Sequence, residues 1–125
     1  MTLKVLTVIR IIFGVLIAVF GANKFFNFMP APENLPENIM AYMMALMSTK
    51  TLYLIGAVEL VSGLAFLFNK YGALMAVILM SVSTNVILFH LSLDPKGIGP
   101  GLVLFLLNIL MLYYYRDKYK ALLAA

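Results

Sequence analysis

Between Lys50 and Lys70 the chain carries a single charged side chain, Glu59, which stands in the middle of the apolar stretch Leu52 to Phe68. A run of this length crosses the hydrocarbon layer of a bilayer as a helix. At about 1.5 Å rise per residue, Glu59 then lies roughly 14 Å from one end, near the midplane. An acidic group at that depth costs on the order of 3 kcal/mol even on the lenient insertion scale, so it must face other helices and find a partner. Glu59 is therefore the first candidate for a functional site.

Three further runs of the same character accompany it. Hydrophobic residues make up 64% and charged residues 11% of the 125, and the mean hydropathy is +1.03. A water-solvated surface on a chain this small does not tolerate such values. The expectation is an all-α polytopic membrane protein, one domain over residues 1–125, with four transmembrane helices in a bundle at about 3–28, 51–68, 71–91 and 98–115. A cleaved signal peptide is the rival reading of the first run. Arg10 would break the apolar core of such a signal, and Phe20 stands where cleavage near Ala22 wants a small residue, so the run is read as a retained helix.

Met29-Pro30-Ala31-Pro32-Glu33-Asn34-Leu35-Pro36-Glu37 ends the first helix, because prolines this dense remove donors and force extended backbone. Pro36 suits the first position of a new helix and Glu37 its first turn. That helix, about 36–48, is too short to span and is expected at the interface, between the first and second transmembrane helices. Met40, Met43, Met44 and Met47 follow the i, i+3, i+4, i+7 spacing and form one flexible apolar face. Plain packing is the bland reading of this stripe, a mobile lid over the bundle the functional one, and a soft-metal methionine box the remaining alternative.

The net charge of +4 and pI of 9.4 do not point to nucleic acid, since the basic residues are spread over helix ends rather than gathered into a patch with aromatic platforms. They read as topology signals. Lys4, Arg10, Lys70, Arg116, Lys118 and Lys120 fall on one side, against Lys24, Lys50 and Lys96 on the other, which places both termini in the cytoplasm of a multi-pass cell (inner) membrane protein. With no cysteine, the chain supports neither a disulfide nor a dithiol relay of its own. One histidine, one intramembrane carboxylate and no thiolate argue against a metal site.

The remaining polar residues sort by depth. Asn23 and Lys24 close the first span on the outer side, Asn85 and His90 lie in the outer part of the third, and Glu59 lies deeper in the second. Together they form a candidate pocket opening outward. Arg10, Gly14, Gly21 and Lys24 lie within about 40° of one line on the first helix, so the polar stripe is also the stripe of close helix approach. Upright helices with aligned outer ends put Arg10 about 7 Å and Lys24 about 14 Å from the level of Glu59. On that estimate Arg10 is the expected charge partner of the carboxylate.

Arg10 and Gly14, Gly21-Ala22-Asn23-Lys24-Phe25, Val58-Glu59-Leu60-Val61-Ser62-Gly63-Leu64, and Asn85-Val86-Ile87-Leu88-Phe89-His90-Leu91 with Asp94-Pro95 together carry a resemblance over essentially the whole chain. The pattern resembles the DoxX and DoxX-like family of small four-helix bacterial membrane proteins. The resemblance implies a link to subunits of thiosulfate:quinone oxidoreductase and to membrane redox complexes, and carries the family's polar positions onto Arg10, Lys24, Glu59, Asn85 and His90. The lack of cysteine departs from dithiol-using quinone reductases and argues against independent thiol oxidation.

Two functional readings follow. In the first, the chain is a non-catalytic or co-catalytic subunit of a quinone-linked redox system, with no intrinsic cofactor evident, whose pocket takes a quinone-like or other polar-headed lipid. Glu59 and His90 would bond the head or exchange protons with it, Arg10 would hold Glu59 ionised, and Lys24 and Asn85 would orient the ligand, with Asn23 a further binding residue of the pocket. In the second, the chain is a structural subunit whose polar residues only hold the bundle, and whose outer lid recruits a partner protein. The expected partners are the bilayer and either proteins of a membrane redox complex or further copies of the chain, with no nucleic acid.

Overall fold

The computed structural model describes residues 2–125, all in helices and their connections. The order is α1 (Leu3–Phe26), α2 (Glu37–Ser48), α3 (Thr51–Phe68), α4 (Gly72–Leu93), a 3-10 turn (Pro95–Gly97), α5 (Ile98–Tyr114) and a second 3-10 turn (Arg116–Tyr119). Four of these segments, Leu3–Phe26, Thr51–Phe68, Gly72–Leu93 and Pro95–Tyr114, are long and apolar enough to cross a membrane. The chain is a multi-pass membrane protein with an all-helical fold.

The boundaries have local causes. Thr2 caps α1 by accepting from the Val5 N–H at 3.3 Å. Asn27, in the left-handed region at φ 51°, closes it, so the first span stops two residues short of the sequence expectation. Pro36 is the N-cap of α2 rather than its first helical residue, with extended backbone at ψ 151°. α4 runs to Leu93, and the Asp94-Pro95 break is a single 3-10 turn that leads directly into α5.

Two ends of the bundle are distinguished by connectivity. The α2 end carries α2 and the α4–α5 turn, and the opposite end carries both chain termini and the α3–α4 turn. α1 packs mainly on α3 and α4 on α5, while the α3–α4 seam is less closely packed. The α1–α3 crossing is made by glycines seven residues apart on each helix. A Cβ on Gly21 would stand 2.5 Å from the Leu60 nitrogen, and one on Gly63 would stand 2.5 Å from the Ala18 nitrogen. Only hydrogen fits there, and the helices approach backbone to backbone.

Below this crossing lies a buried apolar layer. Phe13 and Phe66 stack with centroids 5.6 Å apart, within a core cluster that includes Ile17, Leu79 and Met111. α5 joins α4 through a buried amide: Asn108 Nδ2 donates to the Ala76 carbonyl at 2.9 Å and its Oδ1 accepts from Ser83 Oγ at 2.7 Å. Its donor and its acceptor are both used, so Asn108 joins helices in the apolar core.

Candidate functional site

The α1–α3 register sets the site. Gly63 sits between Gly14 and Ala18, and Gly56 between Gly21 and Lys24, so Glu59 is level with about Phe20. Lys24 is then about 6 Å above the carboxylate and Arg10 about 15 Å below it along the axis. Accordingly, Lys24 Nζ stands 2.5 Å from Glu59 Oε1. The expected pairing of Arg10 with Glu59 is thus corrected. The earlier estimate aligned helix ends, whereas the glycine crossing fixes the register, and the Phe13–Phe66 layer lies between the two levels.

Gly56 makes the reach possible. Its missing side chain leaves room for the Lys24 stem, whose Cβ would stand 2.9 Å from a Cβ built there. Glu59 is 6% exposed, while the Lys24 side chain retains 24% exposure at the mouth of a cavity of about 490 Å³. The cavity lies between the α2-end halves of α3 and α4, roofed by α2, with walls including Ile55, Val58, Val82 and Val86. Ser81, Asn85 and His90 bring polar groups from α4. The structure thus gathers Lys24, Glu59, Asn85 and His90 around one space.

Their free valences differ. Asn85 Nδ2 donates one of its two hydrogens to the Ser81 carbonyl at 2.6 Å, and the Ser81 hydroxyl donates to the Ile78 carbonyl at 2.7 Å. Ser81 therefore offers the cavity an acceptor oxygen, and Asn85 an acceptor oxygen and its second N–H. His90 Nδ1 faces the Asp94 carbonyl at 3.2 Å and the Asp94 carboxylate at 3.4 Å. Its other nitrogen packs over Gly101, 3.3 Å from where a Cβ would sit. His90 thus forms part of the wall with its nitrogens directed to the α4–α5 turn and to α5. Among the described residues, no three His, Cys, Asp or Glu side chains come together as metal ligands do.

Two other expectations are corrected. Asn23 does not line the cavity; its Oδ1 accepts from the Met29 N–H at 2.8 Å and ties down the chain leaving α1. Of the methionine stripe, only Met43 faces the cavity, while Met40, Met44 and Met47 point outward. The covering face is Ile39, Tyr42, Met43 and Leu46, one residue round the helix. Nearly every side of α2 is apolar, so period alone does not choose the face; Tyr42, stacked on Phe89 with centroids 4.9 Å apart, does. Tyr42, Phe89 and Ser81 are wall residues that the sequence reading did not place in the site.

Arg10 lies at the other end of the apolar layer. It is 7% exposed, its guanidinium carbon is 5.7 Å from the Tyr114 ring centroid, and Nε and Nη1 find no acceptor among the described residues.

A model of the family described as DoxX matches residues 5–91. The chain belongs to the DoxX family. The match covers α1 to α4 as far as Leu91, and so includes Lys24, Glu59, Asn85 and His90, but it stops before the Asp94-Pro95 turn and α5. No curated protein and no solved structure matches the chain. Within this DoxX chain, every polar residue lining the cavity therefore lies in the part shared with the family.

Proposed function

We propose that this DoxX protein is a membrane subunit whose α3–α4 cavity binds a lipid-soluble molecule with a small hydroxylated head, of the quinol kind, in a redox-linked system. The observation that carries the reading is the Lys24–Glu59 pair in the wall of an otherwise largely apolar cleft. A buried ion pair that only held helices together would be as well served by packing, whereas this one is open to the cavity on the lysine side. Lys24 and the second Asn85 N–H supply donors; Glu59, Asn85 and Ser81 supply acceptors. That balance suits a head that both donates and accepts, and favours hydroxyls over bare carbonyls. The looser packing of the α3–α4 seam supports entry of a ligand between those two helices.

The orientation proposed is termini inside the cell membrane and α2 outside. Lys24 is engaged with Glu59 and Lys120 with Asp117, leaving Lys50 and Lys96 near the α2 end against Lys4, Lys70, Arg116 and Lys118 near the other. On that orientation the cavity opens toward the outer leaflet.

Calorimetric titration of the purified protein with a decyl-chain benzoquinol, and with the matching quinone, tests this reading. Binding of the quinol, weakened roughly tenfold in Glu59→Gln through loss of a charge-assisted hydrogen bond, is expected. Binding of neither form would remove the ligand reading. The alternative, a structural subunit recruiting a partner through α2, is favoured by one observation, the outward face of Met40, Met44 and Met47.

A further inference from the structure

The α3–α4 seam holds a second cavity at the termini end, about 580 Å³, walled by Val61, Leu64, Phe68, Leu74 and Met75. Lys70 and Tyr71 stand at its mouth. The turn that carries them is held in an unusual shape: Asn69 and Tyr71 both have left-handed backbone, at φ 54° and 60°. Asparagine enters that region readily, whereas a tyrosine stays there only when its surroundings fix it. Here Tyr115 does so, donating its hydroxyl to Asn69 Oδ1 at 2.8 Å and packing its ring over Gly72. The Lys70 N–H closes the end of α3 on the Ala65 carbonyl at 3.0 Å.

Lys70 belongs to none of the ion pairs among the described residues. The turn therefore presents one ammonium outside these ion pairs, two residues beyond the end of α3, beside a groove with no other charged residue in its lining. We propose that this groove binds an anionic phospholipid, its acyl chain along Leu64, Phe68 and Leu74 and its phosphate on Lys70. Charge complementarity selects the occupant. Lys4, Arg116, Lys118 and Lys120 lie near the same end of the bundle, and a cluster of cations beside a membrane surface draws acidic lipids. The site is separate from the Lys24–Glu59 cavity, and the inference does not depend on what that cavity binds.

Native mass spectrometry of the full-length protein from mild detergent, with equal amounts of phosphatidylglycerol and phosphatidylcholine of matched chains, tests it. Phosphatidylglycerol should be retained roughly fivefold over phosphatidylcholine, the preference one interfacial lysine supplies. Lys70→Gln should abolish the preference, Leu74→Trp should displace both lipids by filling the groove, and Lys118→Gln should leave the preference unchanged. Equal retention of the two lipids would overturn the proposal, as would a loss in Lys118→Gln as large as in Lys70→Gln. Inorganic phosphate alone cancelling the preference would make it a free-anion site instead. A dimer that Leu74→Trp dissociates would give the groove to a second copy of the chain.

Discussion

Lys24 crosses α3 over Gly56 to reach Glu59, and the missing side chain at Gly56 is what lets it do so: a Cβ there would meet Lys24 Cβ at 2.9 Å, the Gly21 carbonyl at 3.1 Å and the Phe25 ring at 3.1 Å. Two of these neighbours are themselves anchored in the α1–α3 crossing. Gly56→Ala should therefore force the helices apart and cost about 1–3 kcal/mol, the range for overpacking a tight site. Gly99, with nothing near its missing side chain, is the control, and Gly99→Ala should be neutral or slightly stabilising. Thermal unfolding in detergent compares the two; equal effects would mean that the crossing is looser than its geometry implies.

The ion pair predicts a pattern of coupling. Lys24→Ala leaves a buried carboxylate alone and should destabilise by about 3–5 kcal/mol. Adding Glu59→Gln should restore part of that loss, because an amide keeps hydrogen bonds without the charge. Arg10→Ala combined with Glu59→Gln should be additive, since the two residues lie at different levels with the Phe13–Phe66 layer between them. Coupling of Glu59 to Arg10 and not to Lys24, measured in the same thermal assay, would contradict the register described above.

The four long apolar helices and the short helix after the proline-rich segment were legible in the sequence because long apolar runs and proline breaks depend on local chemistry alone, and of the cavity's polar lining Lys24, Glu59, Asn85 and His90 were legible while Ser81 and Tyr42 were not. The partner of Glu59 was not, since it depends on how far one helix slides along another. Yet the information was present: Gly14 and Gly21, Gly56 and Gly63 share a spacing of seven, and matching them head to tail sets the slide. Helix ends were the wrong ruler. The face of α2 was hidden for a different reason, because Ile39, Tyr42, Met43 and Leu46 follow the same period as the methionines, and only the stacking of Tyr42 on Phe89 decides between them. Asn23 shows a third limit, since a side chain at a helix end serves the local backbone as readily as a ligand.

Topology is testable without disturbing the bundle, because the chain has no native thiol. Cysteines at Asn34, in the segment leading to α2, and at Lys96, in the α4–α5 turn, lie at the same end of the bundle. Both should react with an impermeant thiol reagent in intact cells if α2 faces outward, and a cysteine at Lys118 should react only after permeabilisation. Reaction of Asn34→Cys and Lys96→Cys only in permeabilised cells would invert the orientation.

The C-terminal turn carries an alkaline limit on stability. Tyr119 donates its hydroxyl to the Ala73 carbonyl at 2.7 Å. Burial, and secondarily the neighbouring Tyr115, push its phenol up to about 12. The folded state therefore holds the proton more tightly than the unfolded chain, whose tyrosines titrate near 10. Stability from this contact should be fully present below about pH 10 and be lost as pH rises toward 12, where the unfolded state releases its proton first. Tyr119→Phe removes both the hydrogen bond and the titration, so it should be less stable than the parent at neutral pH and lose less on going to high pH. Melting temperatures of the pair across that window provide the measurement. Parallel curves, with the same drop in both proteins, would assign the alkaline loss to other tyrosines and leave the Tyr119–Ala73 contact without a share in it.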